Sequence, residues 1–140
     1  MPTFILRSTT FVVVSLITHH GAVAEDDLTE LNGRWVVIIA TMGGKPITDA
    51  VGEAAIFTDG TAVQENLRGR ETFSGTITCD KSHKPATIDL RENGRIVNRG
   101  VYVLRGETLE ICWGFDKRPD SLDSSKDKTF VHFIFARKGQ

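Results

Sequence analysis

Four short turn signals, each a polar residue followed by glycine, divide much of this sequence into segments of strand length. They are Asp59-Gly60, Arg68-Gly69, Asn93-Gly94 and Arg105-Gly106. Asp-Gly and Asn-Gly are the pairs that two-residue hairpin turns prefer, because both central residues need a positive φ. The segments between the turns are rich in β-branched and aromatic residues, which favour strands. A chain punctuated in this way folds as successive hairpins, without a long helix.

The pattern predicts an all-β domain of eight strands. Sequential strands joined by hairpins form a meander, and eight of them suffice to close an antiparallel up-and-down barrel. The alternative is a two-sheet sandwich, which needs a long crossing connection, and only residues 114–128 are long enough to provide one. A short helical turn at residues 26–31 precedes the first strand. The predicted strands cover residues 34–42, 54–58, 61–66, 70–79, 86–90, 100–104, 108–113 and 130–137.

Residues 1–24 have the features of a signal peptide. Arg7 provides the positive charge, residues 11–17 form a short apolar run, and Ala22-Val23-Ala24 supplies the small residues that signal peptidase accepts. The apolar run is far shorter than the ~20 residues that cross a bilayer, so no stable membrane span is expected in the mature form. We expect cleavage after Ala24 and an exported domain at residues 25–140, either periplasmic or extracellular.

Charge and motifs exclude several functional classes. The chain has 17 Lys and Arg against 18 Asp and Glu, and removal of the leader takes away only Arg7. This balance argues against a strongly basic surface for nucleic acid. Phosphate-binding glycine loops, HExxH and GxSxG motifs do not occur in the sequence. We therefore expect a protein that is not an enzyme and that needs no cofactor or metal.

Two histidines remain in the mature chain, and each allows a functional and a structural interpretation. Cys79 and His83 are four residues apart across a polar loop, a spacing that could hold a metal; a loop histidine beside a strand-end thiol is the favoured interpretation. His132 lies in the aromatic segment 130–135. A ligand contact is one role for it, but a solvent-facing or hydrogen-bonded histidine is favoured.

The two cysteines of the chain are Cys79 and Cys112. Export makes a disulfide between them chemically feasible. Strand alternation, however, places Cys79 on the same face as Ile77, whereas Cys112 faces away from Ile111 and Trp113. If both apolar sets point inward, the two sulfur atoms lie on opposite sides of the barrel wall. A β-bulge would reverse that parity, so the disulfide stays the less favoured alternative.

Several segments of the mature chain carry a resemblance to known proteins. Leu31-Asn32-Gly33-Arg34-Trp35 is similar to the Gly-x-Trp motif that starts the first strand in the lipocalin superfamily. The matching stretches are residues 31–37, 85–90, 100–102, 108–112, 118–119 and 137, in an order and spacing that span nearly all of residues 28–138. Taken together they resemble a bacterial family of small exported lipocalin-like domains of unknown function. The resemblance implies an eight-stranded barrel, and lipocalin-like barrels usually carry a small apolar molecule at the mouth.

The resemblance also implies structural roles at one end of the barrel. Gly33 permits a close approach of the chain under the barrel, because it has no side chain to clash. Trp35 is expected to plug that end as a buried aromatic residue. Arg137, near the end of the last strand, matches the position of the basic side chain that packs over this tryptophan in lipocalins. A guanidinium on an indole face contributes ~0.5–2 kcal/mol.

Other matching positions are expected to serve folding as well. Asp89 alternates away from its apolar neighbours and is predicted to pair with Arg118, whose loop is fixed by the following Pro119. Such a pair contributes little unless it is shielded from solvent. Tyr102 and Cys112 lie in two further matching stretches and are assigned to the structural set.

Two functions from different classes fit these observations. The first is a binding domain for a small hydrophobic or amphipathic ligand, with the candidate mouth residues Met42, Ile47, Val51 and Leu67 opposite Trp35. The second is a filled barrel that acts as a protein-interaction or structural domain of the cell envelope, with an unknown partner. Cavity volume separates the two, because a ligand site needs several hundred Å³ lined by apolar groups.

Processing of the N-terminus is the prediction that the sequence itself generates. The exported protein is expected to begin at Glu25, since the charged start, the apolar run and the Ala-Val-Ala motif agree. Edman degradation or intact-mass measurement of the protein from the envelope or medium checks it. A species there that retains Met1 contradicts the prediction.

Overall fold

The structure, a computed structural model, describes residues 28–139 and shows a closed eight-stranded antiparallel barrel. The predicted signal peptide and its cleavage site lie outside the described residues. Eight long strands build the barrel wall, and the short β2 pairs only with the end of β1. The strands are β1 (Gly33–Met42), β2 (Lys45–Pro46), β3 (Ala54–Thr58), β4 (Thr61–Glu65), β5 (Glu71–Asp80), β6 (Ala86–Glu92), β7 (Arg95–Arg105), β8 (Thr108–Gly114) and β9 (Val131–Lys138).

Every long strand pairs with its neighbour in the chain, and the ring is closed by the pairing of β1 with β9. The predicted up-and-down barrel is therefore confirmed. The sandwich alternative is wrong, because the long loop between β8 and β9 joins two adjacent strands instead of crossing between sheets. Among residues 28–139 no helix has both the length and the apolar character that crossing a membrane requires.

The hairpin signals act as the sequence predicts. Asp59 and Gly60 have φ values of 47° and 91°, and Asn93 and Gly94 have values of 54° and 79°, so both central residues of each turn are left-handed. The helical turn before β1 is a single 3-10 turn at Thr29–Leu31. Three features were not predicted: the strand β2, the start of β7 at Arg95, and two further 3-10 turns at Thr48–Ala50 and Ser124–Lys126.

A β-bulge explains the unbroken apolar run in β1. The register with β9 shifts between Val37 and Ile39, which leaves Ile38 without a partner. As a result Val37 and Ala40 are buried, whereas Ile38 and Ile39 are 47% and 50% exposed. Because of the extra residue, Ala40 points inward although it follows Val37 by three positions instead of two.

The barrel interior is filled mainly by apolar side chains from all the long strands. Trp35, Ile88, Leu109 and Ile111 are at most 1% exposed, and Tyr102 is also buried among them. The interior of an eight-stranded barrel is just wide enough to be filled by its own side chains. The largest of these residues, Trp35, lies at the end of the barrel where β1 starts and β9 ends.

That closed end depends on a contact between the first and last strands. Trp35 and Arg137 are register partners, and the Arg137 guanidinium carbon lies 4.2 Å from the centre of the indole ring. The indole Nε1 donates to the Leu31 carbonyl at 2.8 Å, and Arg137 Nη1 donates to the Asn32 carbonyl at 2.5 Å. Gly33 has a φ of 135°, and a Cβ there would lie 2.8 Å from Arg137 Nη1. The predicted contact at the closed end is confirmed.

Removal of either partner is expected to destabilise the barrel to a different degree. Trp35→Ala should cost ~3–5 kcal/mol, because it empties a fully buried aromatic site. Arg137→Ala should cost about 1–2 kcal/mol, since it removes a cation–π contact and a hydrogen bond. The double variant should lose less than the sum of the two, because both act through one contact.

Urea unfolding of the four proteins measures these free energies. Arg105→Ala is the matched control: its side chain is 67% exposed and, among residues 28–139, forms an ion pair only with Glu110 near the same end, so its loss should cost under about 1 kcal/mol. Additive losses, or a Trp35→Ala variant as stable as the wild type, would contradict the coupling.

Candidate binding site at the barrel mouth

The candidate site is a cavity inside the barrel, which we call the mouth cavity. Its lining runs from Ala55, the register partner of Trp35, to Glu53 and Trp113 near the open end. Its volume is about 60 Å³. It is lined by residues from every long strand except β7 and is open to solvent on one side. The residues that matter most for its chemistry are Glu53, Ala62, Gln64, Phe73, Trp113 and Phe133.

Strand alternation points these side chains inward. Ala55 pairs with Gln64, and Gln64 pairs with Phe73, so the three residues are neighbours on adjacent strands. Glu53 also lines the cavity and lies in the loop directly before β3, at the open end of that strand. Small side chains such as Ala55 and Ala62 leave the space that larger ones would fill.

Aromatic rings form the opposite wall of the mouth cavity. Trp113 pairs with Gly100, and a Cβ on Gly100 would lie 2.8 Å from Cε3 of the indole. Glycine at that position therefore gives the ring room to lie against the strand. Phe133 packs against Phe135 with their ring centres 5.6 Å apart. Trp113 and Phe133 are both half-buried, so part of each ring is accessible from the cavity.

The four mouth residues expected from the sequence do not line this cavity. Ile47 packs against the interior cluster instead. Met42, Val51 and Leu67 are 42%, 42% and 63% exposed and lie in or beside the loops at the open end. These residues lie in or beside the loops, whereas the cavity is lined mainly by strand residues. The ligand site predicted from the sequence therefore stays a prediction.

A long loop, residues 115–130, covers part of the outer face, and we call it the strap. Leu122 and Phe130 of the strap pack against Val101 and Cys112 of the wall and form a second apolar cluster. No disulfide joins the two cysteines, and Cys79 packs against the interior cluster while Cys112 belongs to this outer one. The two sulfur atoms are therefore on opposite faces of the wall, as strand parity predicts.

Arg118 anchors the strap to the wall. Its Nη1 lies 2.8 Å from Asp89 Oδ1, in the pair that the sequence predicts. The same nitrogen donates to the carbonyls of Gly100 at 2.9 Å and Ile88 at 3.5 Å. Asp89 Oδ1 is buried and accepts no hydrogen bond from the described residues, so its contact with Arg118 is an ion pair.

Short polar contacts shape the rest of the strap. Asp123 accepts bonds from the side chain and backbone of Ser125, which lower the pKa of that carboxyl group. The Ser124 hydroxyl lies 2.7 Å from that of Thr41 on β1. These contacts give the loop a defined path across the wall.

The histidines have structural surroundings. His132 Nε2 lies 3.1 Å from Glu110 Oε1, and both side chains are less than one-fifth exposed. His83 is 63% exposed and lies 3.5 Å from Asp80. Within the described part of the chain, no three His, Cys, Asp or Glu side chains are grouped to bind a metal.

A wider hollow of about 240 Å³ lies beside the strap, but its chemistry is less suited to a ligand. Lys117 and Arg118 line it, and each is already paired with a carboxylate: Lys117 Nζ lies 3.3 Å from Asp127, and Arg118 contacts Asp89. Polar and apolar surface contribute equally to its lining. The mouth cavity is smaller but mostly apolar, so it is the better candidate for a binding site.

Comparisons of the chain with family models, with curated proteins and with solved structures found no match. The family resemblance of the sequence therefore stays a prediction.

Burial makes the reactivity of the two thiols different. Burial, and then the charge of Asp123, raises the pKa of the Cys112 thiol from about 9.0 to about 11. Alkylation by iodoacetamide at about pH 8 should therefore modify Cys79, which is half-buried, well before Cys112. Mass spectrometry of timed samples measures this order. Equal labelling of both cysteines in the folded protein contradicts it.

The same shift predicts a loss of stability in alkali. The folded state keeps the Cys112 thiol protonated, whereas the unfolded chain releases its proton above about pH 9. The free energy of unfolding should therefore decrease as pH rises from 9 towards 11. Cys112→Ala provides the control, because it removes the titrating group and should flatten that part of the pH profile.

Proposed function

We propose that this chain is an exported, lipocalin-like, non-catalytic binding domain that takes the apolar part of a small amphipathic ligand into the mouth cavity. The observation that carries the proposal is an open, mostly apolar cavity with accessible aromatic rings at the mouth of a barrel whose other end is plugged. Binding sites of this kind occur preferentially in the mouths of β-barrels.

Volume limits what can enter. Ligand pockets for drug-sized molecules measure roughly 300–1,000 Å³, and the mouth cavity measures about 60 Å³. A single buried water needs about 10–15 Å³ by the same measure, so a few waters or a short alkyl chain would fill the space. The ligand is therefore one that inserts only a short apolar end and leaves the rest of the molecule outside the barrel.

The same volume favours a second candidate function. A barrel that is nearly full suits a protein-interaction or structural domain of the cell envelope, in which the outer surface makes the contacts. Ile38 and Ile39, exposed side by side at the bulge in β1, are the apolar side chains that such a contact would use. Single exposed apolar residues are common on soluble proteins, so this candidate ranks second.

Titration with straight-chain alcohols tests ligand binding. Each methylene group that enters the cavity should improve the affinity about fourfold, from ~0.8 kcal/mol per buried group. The gain should stop once the cavity is full, at about four carbons, because further methylenes remain at the rim. Fluorescence of Trp113 reports binding, since the only other tryptophan, Trp35, is buried at the far end.

A matched pair of variants checks the position of the site. Ala62→Leu places a larger side chain in the cavity and should abolish alcohol binding. Ala86→Leu makes the same substitution on β6 near the closed end, where Ala86 pairs with Tyr102, and should leave binding intact. Far-ultraviolet circular dichroism confirms that each variant is folded. Absence of binding by every alcohol would contradict the proposed function and favour the filled interaction domain.

A further inference from the structure

Glu53 is the one charged residue among the described residues that line the mouth cavity. Glu53 is half-buried and lies in the loop directly before β3. No cation or hydrogen-bond donor of the described residues pairs with the Glu53 carboxylate. An unpaired carboxylate at the edge of an apolar cavity leaves a negative charge that a bound cation would neutralise. The position therefore suits a ligand that carries a positive charge.

The aromatic rings favour the same kind of ligand. Phe73, Trp113 and Phe133 line the cavity together with Glu53. The face of an aromatic ring carries negative potential and attracts ammonium groups, most strongly when water is partly excluded. The other polar side chain of the lining, Gln64, offers an amide oxygen that accepts hydrogen bonds from N–H groups. The carboxylate, the amide oxygen and the aromatic rings thus all favour a ligand with a positively charged N–H group.

We propose that the mouth cavity selects alkylammonium or arylammonium compounds, with the apolar part against the aromatic rings and the ammonium group at Glu53. The inference rests on the proposed function and adds the chemical class of its ligand. An amine fits the small volume, because its short carbon chain enters the cavity while the charged group stays at the half-exposed lip. A carboxylate of the same length is excluded by repulsion from Glu53.

Three four-carbon probes separate charge from apolar burial: butylammonium, butan-1-ol and butyrate. Each is titrated against the wild-type protein at physiological ionic strength, with Trp113 fluorescence as the signal, so that long-range charge effects are screened. Butylammonium should bind roughly tenfold tighter than butan-1-ol, and butyrate should bind more weakly than either. This comparison needs no substitution, so it stands even if a variant fails to fold.

Glu53→Gln keeps the size of the side chain and removes its charge. With this variant, butylammonium and butan-1-ol should bind with about equal affinity, and the affinity for butan-1-ol should be unchanged. Glu92→Gln is the matched control, because Glu92 is an exposed carboxylate at the same end of the barrel, outside the cavity lining. It should keep the wild-type preference.

The outcomes distinguish the two levels of the proposal. A preference for butylammonium that Glu53→Gln removes and Glu92→Gln keeps supports the inference. Equal affinity for butylammonium and butan-1-ol, or a preference that survives Glu53→Gln, overturns the inference and leaves a general apolar site. Failure of all three probes to bind overturns the inference together with the proposed function.

Discussion

Closure of the barrel by β1 and β9 is the constraint on which the other features depend. An open meander would expose two unpaired strand edges, each with a row of free backbone donors and acceptors. In this chain the two edge strands pair along most of their length, and Arg137 from one covers Trp35 from the other. The bond from Arg137 to the Asn32 carbonyl also holds the segment that leads into β1. The contact between Trp35 and Arg137 thus both joins the first and last strands and closes that end of the barrel.

The plug determines where empty space remains. Large side chains, Trp35 and Tyr102 among them, fill the barrel from the closed end, and the interior of an eight-stranded barrel has room for little else. Beside Trp35, β3 and β4 contribute the small residues Ala55 and Ala62 to the interior. The cavity lies where these small side chains face the aromatic rings of β8 and β9. Its position therefore follows from the uneven distribution of residue size around the wall.

Most of the fold could be predicted from the sequence because local signals determine it. Glycine-containing turns and alternating residues define the hairpins, and hairpins in sequence leave few topologies. The bulge at Ile38 could not be predicted, since a run of consecutive apolar residues does not show which of them point inward. The four predicted mouth residues do not line the mouth cavity for a related reason. Turn residues such as those around Leu67 can be recognised in the sequence, but which strand side chains line a cavity depends on register across neighbouring strands.

Comparison of the half-buried carboxylates explains why Glu53 is the residue to test. Asp89 lies 2.8 Å from Arg118, and Glu110 lies 3.1 Å from His132. Glu65 likewise pairs with Arg34 at 2.9 Å. Each of these carboxylates has its partner on another strand or loop, so each contributes to the fold. Glu53 faces the mouth cavity without such a partner among the described residues. Its charge has no role in the described contacts of the fold, so a substitution of Glu53 tests ligand preference with little effect on folding.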